Sequence, residues 1–116
     1  MKNGLIEENA RIEKIRYQVF DAFDASGNPL YKNGTIDDRG LLDEVKESLR
    51  DAHESARAYS VTALGALVIF IQSAPSLTLK LIYNIRAEQY ESMVYKESTL
   101  FLTTQKFASI LDALRR

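Results

Sequence analysis

Residues 58–79 carry no formal charge, although charged side chains make up 27% of the 116-residue chain. An uncharged run this long in a small charge-laced protein marks the part that leaves water on folding, so it locates the core. Within it, residues 59–74 read as one helix, ended by Pro75, which lacks an N–H donor and pushes its predecessor out of the α region. On a helical wheel Val61, Leu64, Val68 and Ile71 form one stripe, and Ala63, Ala66, Leu67, Phe70 and Ala74 form an adjoining one. Only Thr62, Gly65, Ile69 and Gln72 are left over, so nearly the whole circumference suits packing and the helix belongs in the centre. A bilayer span wants about 20 consecutive apolar residues. The stretch before Pro75 is shorter and includes Ser60, Thr62, Gln72 and Ser73. The expectation is a central buried helix over about 58–74, with Tyr59 at its mouth.

The flanks are read by their periods. From Glu7 to about Asp21, Ile12, Ile15, Val19 and Phe20 recur at helical spacing opposite a charged side, which predicts an amphipathic helix. Residues 24–35 hold Gly27-Asn28-Pro29 and Asn33-Gly34, turn formers that reverse the chain; the competing reading is a short β-hairpin with Leu30 and Tyr31 in one strand. A second helix, capped by Thr35, Asp37 or Asp38, turns Leu41, Leu42, Val45, Leu49 and Ala52 inward. Beyond Pro75, Leu77, Leu79, Leu81, Tyr83 and Ile85 alternate with Thr78, Lys80, Ile82, Asn84 and Arg86 at a period near two. This predicts an antiparallel hairpin over about 77–102, with a helix over 78–97 as its rival. Thr103 or Thr104 caps a closing helix over about 104–115, with Phe107, Ile110, Leu111 and Leu114 as its stripe. The expected class is mainly α (α+β) in a single domain, 1–116; the alternative is an all-α bundle.

Chemistry-bearing patterns are sparse. No cysteine is present, which removes disulfides, thiolate catalysis and cysteine-type zinc sites and suits a reducing compartment. The first residues lack the apolar stretch of a secretory signal, so a cytoplasmic protein is expected. The single histidine, His53, sits between Asp51 and Glu54 as a surface residue. Asp24, Ser26 and Asn28 alternate as in a calcium loop, but the sixth position, where glycine is required, is Pro29. Asp37 and Asp38 read as helix caps, and there is no phosphate loop, HExxH or serine elbow. Neither an enzyme nor a cofactor, metal or small-molecule substrate is expected. A net charge of −1, from 15 basic and 16 acidic side chains, gives no overall pull toward nucleic acid or membrane.

Six tyrosines stand without a tryptophan. Tyr83, Tyr90, Tyr95 and Phe101 cluster on the predicted hairpin and form the candidate interaction surface, since aromatics serve interfaces as well as sheet faces.

Ile15-Arg16 with Phe20, then Arg50-Asp51, Tyr59, Ala63-Leu64, Ala66 and the branched run to Pro75 resemble small uncharacterised proteins encoded in enterobacterial prophages. The likeness covers roughly residues 11–75. It implies a phage-derived cytoplasmic protein, regulatory in character, and no site residues.

Two function classes follow. The first is a non-catalytic protein-interaction or homo-oligomerising protein, a homodimer or a binder of another protein. The second is a small DNA-binding regulator of winged-helix type. A recognition helix needs Arg, Lys, Asn or Gln facing a groove, however, and the helix expected before the hairpin is uncharged. The interaction protein is therefore the preferred expectation.

Overall fold

The computed structural model describes residues 4–55 and 62–116. In those residues the chain runs β1 (Ile12–Phe23), β2 (Pro29–Ile36), α1 (Arg39–Arg50), β3 (His53–Glu54), β4 (Ala63–Ile71), β5 (Leu77–Asn84), β6 (Gln89–Lys96), β7 (Thr99–Leu102) and α2 (Gln105–Leu114). The strands form one antiparallel sheet in the order β2-β1-β4-β5-β6-β7-β3. The fold is β-rich with two helices, which overturns both the mainly α class and the all-α bundle.

The central helix expected over 58–74 is the first correction. Its residues 63–71 form β4, held between β1 and β5 in the middle of the sheet. Its start, with Tyr59 and Val61, lies outside the described residues. The uncharged run does lie at the centre, but apolarity on every side cannot tell a buried helix from a buried strand, because no period is left to read. The branched run Val68-Ile69-Phe70-Ile71 decides the outcome, since such side chains lose rotamer freedom in a helix and fit a pleated surface. Leu67 and Ile69 point into the core, and Ala66, Val68 and Phe70 point to the opposite face.

The amphipathic helix expected over Glu7 to Asp21 is the second correction, because this segment is β1. Its register shifts between Ile12 and Lys14 against β4, and again between Phe20 and Ala22 against β2. Each bulge inserts one residue and flips the inward parity. Ile12 and Ile15, three apart across the first bulge, therefore both face inward, whereas Val19 and Phe20, adjacent and ahead of the second bulge, are both buried at the point where the β1–β4 ladder ends. One bulge and two adjacent buried residues thus imitate helical spacing. Residues 29–36, set against the chain reversal, form the hairpin partner of β1.

Elsewhere the local signals and the structure coincide. Asp38 caps α1, its carboxylate accepting from the Leu41 N–H at 2.9 Å. Thr104 caps α2, its hydroxyl accepting from the Phe107 N–H at 3.2 Å. Residues 77–102 give three strands, β5, β6 and β7, and the rival helix over 78–97 is absent.

Both helices lie against one face of the sheet. Leu42, Val45 and Leu49 of α1 and Phe107 and Leu111 of α2 close over Ile15, Val19, Leu67, Ile69, Leu79, Leu81 and Val94 in one core. The winged-helix arrangement falls with the central helix, since the segment before the β5–β6 hairpin is itself a strand. No helix of the described residues is long and apolar enough to cross a membrane.

Candidate functional site

The four aromatics singled out on the expected hairpin do not share a surface. Tyr83 and Tyr90 are buried on the helix-covered side of the sheet, 5% and 2% exposed. Their rings meet edge to face at 5.1 Å, and Tyr83 lies 4.8 Å from Phe20. Phe101 packs against this same core. Tyr95 pairs with Lys80 across β5–β6, which puts it on the opposite face.

Tyr90 has a structural task. The ladder between β1 and β4 ends at Val19 and Gly65. In place of the next rung, the Tyr90 hydroxyl accepts from the Phe20 N–H at 2.7 Å and donates to the Leu64 carbonyl at 2.6 Å. The Tyr90 N–H in turn donates to the Asp112 carboxylate of α2 at 2.8 Å. Gly65 makes room for the ring: its φ is +111°, and a Cβ there would strike the Gln18 carbonyl and approach the Tyr90 hydroxyl to 2.9 Å. Arg115 closes the same corner. Its guanidinium lies 4.5 Å from the Tyr83 ring centre and 5.5 Å from that of Phe20, and its Nε donates to the Phe20 carbonyl at 2.6 Å. Burial pushes the Tyr90 hydroxyl up to about 12, with the Phe20 N–H and Arg115 pulling the other way. Burial raises Tyr83 as well, opposed by Arg115. These tyrosines hold strands together and are not offered to solvent.

The surface that is offered is the sheet face without helices. The cross-strand register lays out its side chains in rows. Thr35, Arg16, Val68 and Thr78 form one row, and Asn33, Gln18, Ala66, Lys80 and Tyr95 the next. Lys14 and Phe70 pair in the row beyond, with the Lys14 ammonium 5.1 Å from the Phe70 ring centre. Arg16, Gln18, Asn33, Thr35, Thr78 and Lys80 are exposed, and Ala66, Val68 and Phe70 are half-buried between them. Over Ala66 and Val68 the face dips into an open bay of about 450 Å³, walled by Arg16, Gln18, Asn33 and Thr35. Arg16 and Lys80 make no ion pair among the described residues. The carboxylate of Glu91 lies at the far end of β5–β6, where it accepts from the Asn84 amide at 3.0 Å. On the other side of the molecule, a shallow concavity at α1 is walled by Glu44, Glu47 and Asp51, with Lys106 bridging to Glu44 at 3.3 Å. The bare sheet carries Lys14, Arg16 and Lys80 in these rows, whereas along α1 Asp43, Glu44 and Glu47 are balanced by Arg39, Lys46 and Arg50.

Sequence reasoning missed this face because it read β1 and β4 as helices. The signal was present: Lys14, Arg16 and Gln18 alternate with Ile15, Tyr17 and Val19 at a period of two. The remaining candidates have local roles. His53 is exposed on the two-residue strand β3, opposite Leu102. One Asp24 carboxylate oxygen accepts from the N–H groups of Ser26 and Asn28, both at 2.9 Å, closing the β1–β2 turn.

Among the described residues the fold is an antiparallel sheet with helices on one side only. Comparison with family models, with curated proteins and with solved structures finds no match.

Proposed function

We propose that the chain is a non-catalytic protein-binding module that works through the bare face of its sheet, in β2, β1, β4 and β5. One observation carries the reading: both helices pack on one side, while the other presents Arg16 and Lys80, which make no ion pair among the described residues, around half-buried Ala66, Val68 and Phe70. A wide antiparallel sheet needs only one covered face to fold, so the composition of the second is free to serve recognition. An apolar centre with a polar rim is the usual anatomy of an interface between proteins. The lack of cysteine suits the reducing cytoplasm as the place of action.

The same lack makes the test clean. A single cysteine placed at exposed Thr78 and alkylated with a bulky maleimide blocks the face without touching the core; one placed at Glu44 on α1 blocks the opposite side. Cross-linking in cells that express the chain is expected to lose its partner band with the Thr78 adduct and to keep it with the Glu44 adduct. Retention with the Thr78 adduct refutes the reading.

A further inference from the structure

Resting on that reading, we infer that the occupant of the bare face is an acidic, extended segment of a partner protein, its carboxylates seated on Lys14, Arg16 and Lys80. The cations are the first argument. Arg16 and Lys80 are exposed, meet no carboxylate among the described residues and stand beside the bay over Ala66 and Val68. A guanidinium beside an amide and a hydroxyl, here Gln18 and Thr35, forms a set of donors suited to a carboxylate. Spacing is the second argument. Lys14 and Arg16 are two apart on one strand, about 7 Å, which is also the distance between alternate side chains of any extended chain. A segment with acids at every second position therefore meets both, and the apolar strip of Phe70, Val68 and Ala66 lies one strand away.

The same features disfavour the other occupants. A second copy docked by this face on itself would set its cations against their own images. A single-stranded nucleic acid wants a longer basic track and free stacking rings. Among the described residues these rows hold three cations, Lys14, Arg16 and Lys80; the Phe70 ring already faces the Lys14 ammonium, and the chain as a whole is negative.

The test uses a fluorescein-labelled eight-residue peptide alternating Glu and Val, an oligothymidylate of equal length as competitor, and the full chain near physiological salt. The expected result is saturable binding with a Kd below about 1 mM, amide shift changes confined to β1, β4 and β5, and weakening by about tenfold or more in Arg16→Glu. In the doubly reversed variant, Arg16→Glu with Lys80→Glu, preference is expected to switch to the peptide carrying Lys for Glu. Each of four results overturns the inference: no peptide binding, tighter binding of the oligothymidylate, binding indifferent to Arg16→Glu, or a concentration-dependent dimer abolished by the Thr78 adduct. A failed peptide test beside a partner band still lost with the Thr78 adduct rejects the acidic occupant alone. A retained band rejects the surface itself.

Discussion

Replacing Tyr90 with phenylalanine removes one oxygen and disconnects two strands. That oxygen takes the Phe20 N–H at 2.7 Å and gives its proton to the Leu64 carbonyl at 2.6 Å. Together the two bonds span a gap that a single hydrogen bond of about 2.9 Å does not bridge. Direct pairing would require β1 and β4 to close on each other, and the Phe20, Tyr83 and Tyr90 rings packed in that corner oppose the movement. In Tyr90→Phe the Phe20 N–H and the Leu64 carbonyl therefore stay buried without partners. Each costs about 1–3 kcal/mol, and sparing the hydroxyl its own desolvation returns part, leaving a loss of about 2–4 kcal/mol. Set against about 5–15 kcal/mol of net stability for a domain, this lowers Tm by about 10–15 °C. Urea unfolding followed by far-ultraviolet circular dichroism measures it, with Tyr17→Phe as the control, since Tyr17 is half-buried over Gly34. A loss below about 0.5 kcal/mol in Tyr90→Phe would refute the bridging role.

The raised tyrosines set an alkaline limit. Tyr90 holds its proton more tightly folded than unfolded, so its contribution is complete below pH 10 and disappears as the pH climbs from 10 through about 12. Two pH units correspond to at most about 2.7 kcal/mol, and the fall in urea midpoint between about pH 9 and 11.5 is expected to be smaller in Tyr90→Phe than in the parent. Equal falls would contradict this. Gly65→Ala combines a strained φ with a clash against the Gln18 carbonyl, and a loss of about 3 kcal/mol or more is expected. Gly27→Ala shares the positive φ but meets nothing within 4 Å, so its loss of about 1 kcal/mol separates strain from crowding in the same denaturation assay.

Legibility in the sequence followed the range of the interaction. Asp38 and Thr104 were readable as caps because capping is settled within a few residues. The outward-inward alternation of β5 was readable because Leu77, Leu79 and Leu81 face one side without interruption. β1 misled because its first bulge depends on what its neighbours demand, and that one parity flip, with Val19 and Phe20 both buried where the β1–β4 ladder ends, gave Ile12, Ile15, Val19 and Phe20 the spacing of a helix. β4 misled because a strand buried on one face and half-buried on the other has no polar positions from which to count. The aromatics Tyr83 and Tyr90 were legible as a cluster, but their side of the sheet follows from register against β1 and α2, which no local pattern carries.

The strand order has a kinetic consequence. The chain lays down β2 at one edge, crosses through α1 to β3 at the other, and only then returns to place β4 in the middle. β1 waits for a neighbour from a distant stretch of chain, and β3 waits for β7. Closing such large loops before any contact rewards them makes assembly slow, on the order of milliseconds to seconds. Throughout that interval residues 64–71, without a charge or a proline, are a naked strand on which another nascent molecule can zip as readily as β1. Synthesis rate and chaperone supply, more than the finished molecule's thermodynamic margin, then govern how much of this protein reaches its native form.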